Sequence, residues 1–418
     1  MSVHADAPAP PILDPAARDA AVRRNTFLLA GAQGLVSTTF SVLLIVGSVA
    51  AADLAGRDGI VGVVNAGYFL AAAGGAMMFG RSMDRYGRRA GLVVSYLAVA
   101  LAGIGCGVAI AAGSLPALLV FTTLFGFSFG GTNLARGAVA DMYPVERRGR
   151  AVGIVLAVGT VGAVGSPFLV AFLRSWSERE ALDPLVVPWI LVPIAAVGAL
   201  ACALALRPDP RALAVRDHAA APHIRRAPSE LLASPAIRTA VVTAAIGQMA
   251  MVAVMGVTPV ALEHHHSSPT VISTVISVHV FGMWGLSPLI GVALDRIGRR
   301  PVLLAGGVIS VAGAVLAGTD AGPAVVGTGL FAIGLGWSAT FLGATAVVSD
   351  ATQPSERAGA LGFTDLVISL SSGAAGLVGG FVFEGVGMRV LGFGVATVVL
   401  LVVVAVAWMR ETVTPAAG

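Results

Sequence analysis

Twelve stretches of this chain are each apolar for about the length of a bilayer crossing, and this repetition limits the possible folds more than any other feature. A helix needs roughly 20 apolar residues to span the hydrocarbon core. Candidates fall at 26–50, 59–80, 90–112, 116–140, 150–173, 186–206, 238–262, 270–294, 301–319, 323–349, 358–383 and 388–409. Their apolar character runs all round and shows no period of two, which disfavours a barrel. Charged residues make up 11% of the 418, against about a quarter in a soluble domain. Mean hydropathy is +0.89. The expected fold class is an all-α polytopic membrane protein of twelve transmembrane helices. The 53 Gly and 22 Pro suit close packing of membrane helices.

The longest connection, 207–237, is rich in Arg, Pro and Ala and separates two six-helix bundles, 26–206 and 238–409. Residues 1–25 lack a signal-peptide core and read as a disordered tail; 410–418 reads as a second tail. Cys106 and Cys202 lie in apolar runs and read as small buried hydrophobes. All 26 basic residues are arginine, and 21 of them fall on one side of the predicted topology against 4 on the other, with Arg136 inside a span. The positive-inside rule then places both termini and the 207–237 linker in the cytoplasm. The net charge of +4 reflects topology, and nucleic-acid binding is not implied.

One charged turn is written twice. "GRSMDRYGRR" at 80–89 and "GVALDRIGRR" at 291–300 share Gly, Asp, Arg, Gly, Arg and Arg in the same spacing, 211 residues apart. A second pair, "DMYPVERRGRAVG" (141–153) and "DATQPSERAGALG" (350–362), recurs at an offset of 209. Two turns repeated in the same order point to two parallel six-span halves. Asp84 and Arg88 are four residues apart, close enough to pair on a helix. A carboxylate at a helix N-terminus is stabilised by about 0.3–1 kcal/mol.

At these residues the chain resembles the major facilitator superfamily, whose best-known signature is Gly-x-x-x-Asp-Arg-x-Gly-Arg-Arg between spans two and three. Gly80, Asp84, Arg85, Gly87, Arg88 and Arg89 complete one copy; Gly291, Asp295, Arg296, Gly298, Arg299 and Arg300 complete the other. The resemblance implies that Asp84 meets the start of the eleventh span and Asp295 the start of the fifth. Asp141, Arg148, Asp350 and Arg357 are the implied partners in this cytoplasmic gate. Purely topogenic charge clusters are the alternative.

The fifth span carries Gly153, Gly162 and Pro167 on the spacing of a Gly-rich motif found in the drug and metabolite antiporters of the superfamily, but Ser166 and Val170 depart from it. The fourth-span arginine of those antiporters is absent, its place taken by Thr122. "PDPRAL" (208–213) offers a faint likeness to a sugar-porter motif. Proton-coupled efflux of a small amphipathic or hydrophobic solute is the expected activity, with proton-coupled import or facilitation of a small metabolite and a non-transporting receptor as alternatives. The expected partners are a small-molecule substrate, protons and the lipid bilayer, and the expected working unit is a monomer.

The resemblance implies that spans one, four, seven and ten line the cavity, which makes Gln33, Asn133, Arg136, Gln248 and Trp337 candidate substrate contacts. For each, helix packing is the competing reading. Asp365 is the one carboxylate well inside any proposed span, eight residues or about 12 Å past Arg357. Such a group must be protonated, paired or wetted by a cavity. Asp365, His279 and Arg136 are therefore the candidates for proton coupling. The run "EHHH" (263–266) reads as a solvated loop, since adjacent histidines point apart. No metal, cofactor or nucleotide motif appears, and neither does a catalytic triad, which disfavours an enzyme.

Overall fold

The computed structural model describes residues 14–215, 227–353 and 356–408, and among these there is no strand. Eleven helices are long and apolar enough to cross a bilayer, and the last of them holds two spans. They are α1 (Pro15–Ala55), α2 (Ile60–Tyr86), α3 (Arg88–Ala111), α4 (Leu115–Asp141), α5 (Val145–Arg179) and α6 (Val187–Leu204) in the first half. In the second half are α7 (Pro235–His264), α8 (Pro269–Ile297), α9 (Arg299–Gly318) and α10 (Pro323–Asp350). A helical run, Arg357–Trp408, is broken at Gly387 (φ 78°) into α11 (357–386) and α12 (388–408). A one-glycine reversal thus joins two spans between which the sequence suggested a short loop.

The expected tail also differs. Asp14 caps α1, accepting a hydrogen bond from the Ala17 amide at 2.7 Å, so 15–25 are helical. Residues 1–13, 216–226 and 409–418, including the second tail and part of the linker, lie outside the described residues.

The same pairings recur in each half. α1 packs on α5 as α7 packs on α11, α2 on α4 as α8 on α10, and α3 on α6 as α9 on α12. The halves meet where α2 packs on α11 and α5 on α8. Large apolar side chains such as Leu101, Val120, Val161, Ile194, Leu289 and Leu401 face outward. So many exposed hydrophobes are unfavourable in water and suit lipid. Short π-helical stretches interrupt α1 at Val42–Gly47 and α8 at Phe281–Gly285.

Candidate functional site

The repeated turns end α2 and α8 at glycines that a side chain would strain: Gly87 has φ 100° and Gly298 φ 96°. Arg88 bonds Asp84 at 3.0 Å and Asp141 at 2.9 Å, all within the first half. Arg299 repeats this, bonding Asp350 at 2.9 Å and approaching Asp295 at 3.9 Å. Arg148 donates from Nε to the Tyr143 carbonyl at 3.0 Å. The bridges implied by the family resemblance, Asp84 to α11 and Asp295 to α5, do not appear among the described contacts. The Asp84 and Asp295 side chains are 71% and 81% exposed, each paired only within its own half among the described contacts.

The sequence reading missed a further partner. Asp209, just beyond α6, accepts hydrogen bonds from the amides of Arg88 (3.2 Å) and Arg89 (3.0 Å) and so caps the start of α3. Around it, Asn25 donates to the Pro208 carbonyl and Arg18 to that of Leu213, strapping the first linker residues onto α1. Its signal was local: an aspartate between two prolines in "PDPRAL".

The opposite end is closed. A Cβ on Gly62 of α2 would lie 2.7 Å from the carbonyl oxygens of Gly376 and Leu377 of α11, so the backbones touch. Gly380 meets Gly62 and Gly59 just as closely. Asn65 is buried against Gly376 and Gly256. On the other seam, Ser277 of α8 donates to the Val164 carbonyl of α5 at 3.0 Å. Among the described residues two ion pairs cross between the halves at this rim, Arg174–Glu263 at 2.6 Å and Arg57–Glu384 at 3.0 Å, and the His264 ring meets Asp58 at 3.5 Å. Beside them opens a vestibule of about 690 Å³ lined by Asp53, Arg57, Asp58, Glu263, His264 and Glu384. Arg57 and Arg174 are two of the four arginines on the sparsely charged side of the predicted topology.

Beyond the contact of Gly373 with Leu70, α11 and α2 part toward the arginine-rich end and leave a cleft between them. Gly74, Gly359 and Gly362 have open space beside them, and Asp365, Leu366 and Leu370 of α11 are exposed. Opposite, α4 breaks at Asn133–Leu134, between Leu115–Thr132 and Ala135–Asp141. Arg136 follows that break and donates from Nε to the freed Asn133 carbonyl at 3.2 Å. It is half-buried, and among the described residues Asp365 of α11 is the charged group that acts on it. No ion pair within 4.0 Å joins the two.

The remaining candidates divide. Gln248 accepts a hydrogen bond from the Trp337 indole, and Trp337 stacks on Phe341 (5.1 Å) and meets Trp284 edge-on (5.0 Å). Gln33 is buried and approaches Ser37 at 3.3 Å. His279 is fully buried between α8 and α10: Nδ1 meets the Leu330 carbonyl at 2.6 Å, and Nε2 is buried without a partner. Gly162 abuts the Gly34 carbonyl, which packs α5 on α1, while a Cβ at Gly153 would meet nothing within 4 Å. Pro167 lies inside α5, with Ser166 bonding Ser41 at 2.6 Å beside it. Among the described residues no His, Cys, Asp or Glu cluster could hold a metal. His264 and His265 instead pair with Asp58 and Asp320.

Two pseudo-equivalent six-helix halves, closed at one rim and parted at the other around a charged cleft, define a membrane transporter. The chain belongs to the Major Facilitator Superfamily, whose model matches residues 26–266 and 240–418. It is 28% identical over 413 residues to the MFS-type transporter YdeG of Bacillus subtilis (strain 168), covering 96% of this chain and 95% of that one. It is 27% identical over 391 residues to the riboflavin transporter RfnT of Brucella anthropi, covering 92% and 95%. Among solved structures, that of the nucleoside transporter NupG superposes with a TM-score of 0.68 at 15% identity, over 92% of this chain and 98% of that one.

Proposed function

We propose that this protein is a proton-coupled secondary transporter that moves a small amphipathic solute by alternating access, with its arginine-rich end in the cytoplasm. The observation that carries this is the cleft, open toward the arginine-rich end, with Arg136 on one half and Asp365 on the other. A carboxylate that changes its proton as the cleft opens to either side couples solute movement to a proton gradient. His279, buried between α8 and α10, suits a structural role, which leaves Asp365 as the coupling residue. The gate reading of Asp84 and Asp295 fits a state in which their cross-half contacts are released. The two halves 26–206 and 238–409 move as the rocking units.

The sign of coupling follows from the solute's charge. A cation would compete with the proton for Asp365, giving exchange and the efflux expected from the Gly-rich fifth span. An anion would favour protonation of Asp365 and travel with the proton. RfnT, named for riboflavin, carries a planar heteroaromatic, and the Trp284–Trp337–Phe341 cluster offers such a ring a stacking wall.

Flux into proteoliposomes under an imposed pH gradient tests the reading. Asp365→Asn is expected to abolish gradient-driven accumulation while solute exchange persists. Accumulation at the unmodified rate by the Asn variant would remove Asp365 from the mechanism. Cysteines at Ala219 and Ser268 are expected to label from opposite faces, and labelling of both from outside intact cells would overturn the orientation.

A further inference from the structure

We infer that Arg136 is an anion-binding site and that the transported solute is an organic monoanion with a planar ring, carried together with a proton; this rests on the transporter reading above. The asymmetry between the two cleft charges decides it. Asp365 can discharge itself by taking a proton. A guanidinium stays charged at any physiological pH. When Asp365 is protonated, Arg136 is therefore an uncompensated cation at membrane depth, which is costly unless an anion arrives.

The geometry leaves room for that anion. Nε is the guanidinium nitrogen with a protein partner, the Asn133 carbonyl. Among the described contacts Nη1 and Nη2 have no protein partner, and neither is wholly sealed from solvent. Those two nitrogens present the parallel N–H pair that a carboxylate accepts in bidentate fashion. Asp365 does not close on them within 4.0 Å. One cation with one neutralisable carboxylate opposite matches a single negative charge, since a dianion would leave one charge unbalanced.

The ring follows from the wall above. Phe341 occupies the repeat position of Thr132 at the 209 offset, four residues or about 6 Å along the axis from the position matching Arg136. Phe341, half-buried and stacked on Trp337, thus sits at nearly the depth of Arg136 and offers the solute's ring an aromatic face.

Other charges on helices packed against α11 lie toward its ends. Arg81, Asp84 and Arg85 of α2, Arg238 of α7 and Asp350 of α10 are at the arginine-rich end; Glu263 and His264 of α7 are at the rim. Arg136 is the charged group that acts on Asp365. Anion binding to Arg136 releases Asp365 from that attraction and favours its protonation, so anion and proton bind as a set.

The test uses the full chain in lipid nanodiscs with three isosteric probes: 2-naphthoate, neutral 2-naphthamide and cationic 2-naphthylmethylammonium. Binding is read by tryptophan quenching and by proton uptake in weakly buffered solution. Naphthoate is expected to bind at least ten-fold tighter than either isostere and to take up a proton. Arg136→Gln is expected to weaken naphthoate by ten-fold or more, with Arg136→Lys retaining part of the affinity. Asp365→Asn is expected to tighten naphthoate and to abolish the proton uptake. Tightest binding of the amide or the cation would overturn the inference, as would absence of naphthoate binding or an unchanged Kd in Arg136→Gln. Thermal unfolding of each variant separates lost binding from lost folding. Naphthoate that binds as expected but is not driven by a pH gradient would leave the anion site standing and remove the proton-coupled transport reading.

Discussion

Replacing Glu263 by Gln should loosen the closed rim, because that carboxylate compensates a charge that has few other partners. The Arg174 side chain is 7% exposed, and its Nε and Nη1 are buried without hydrogen-bond partners. Glu263, itself 32% exposed, meets Nη2 at 2.6 Å from the other half of the molecule. Breaking a fully buried pair costs about 3–5 kcal/mol, and the partly exposed glutamate lowers that. Glutamine keeps an acceptor but loses the charge assistance, which leaves a loss of about 1–2 kcal/mol. Since the pair forms only while the rim is closed, the whole loss acts on the open–closed equilibrium. With a closed state favoured by about 2 kcal/mol, the open-rim population rises from roughly 3% to about 15–50%. The assay is a spin–spin distance distribution between cysteines at Leu182 and Ala321, exposed positions in two rim loops of opposite halves, with Cys106 and Cys202 replaced by Ala. Glu263→Gln is expected to add a longer-distance population, and Arg174→Gln the same one, with the double variant adding little further. A distribution unchanged from the parent in a well-folded Glu263→Gln protein would refute the latch.

Other outcomes follow from the same contacts. Gly87→Ala should lower the thermal midpoint more than Gly298→Ala, because the backbones are alike but only at Gly87 would the Cβ fall 2.6 Å from Asp209; adding Asp209→Ala should shrink that difference. Asp209→Ala alone should cost about 1 kcal/mol as a lost helix cap, read in the unfolding midpoint. Gly62→Val should prevent the rim from closing, because its side chain would meet α11 backbone, and impermeant thiol reagents should then reach a cysteine at Ala66 from the rim side. Asp84→Asn should favour the open cleft and slow transport while leaving the thermal midpoint nearly unchanged, since Asp84 is mostly exposed in this state.

The twelve spans and the doubled turns were legible in the sequence because both are local. Twenty apolar residues announce a crossing by themselves, and Asp84 and Asp295 sit in copies of one string. Asp365 and Arg136 stood out because charge inside a span is rare. The rim was not legible. Arg174 and Glu263 are 89 residues apart, and Arg57 and Glu384 are 327 apart. Each of these charges sits near a span end, where a charge needs no partner to explain it. The bridges that the resemblance implies for Asp84 and Asp295 do not appear among the described contacts, and a motif carries no sign of which contacts a given conformation makes. Asp209 escaped because a capping role depends on where the chain folds back. The α11–α12 turn escaped because one glycine in the left-handed region does the work of a loop.

The backbone contact between α2 and α11 has a consequence for how the gene can change. Every single-base missense substitution in a glycine codon adds at least a Cβ, and at Gly62 or Gly380 that atom would meet main chain rather than a side chain able to swing aside. Neighbouring lipid-facing positions such as Val378 accept many apolar replacements. In a saturation mutagenesis experiment under selection for transport, α11 should therefore show sharp intolerance at 376 and 380 beside permissive positions. That periodic pattern of loss would map the closed seam between α2 and α11 from growth phenotypes alone.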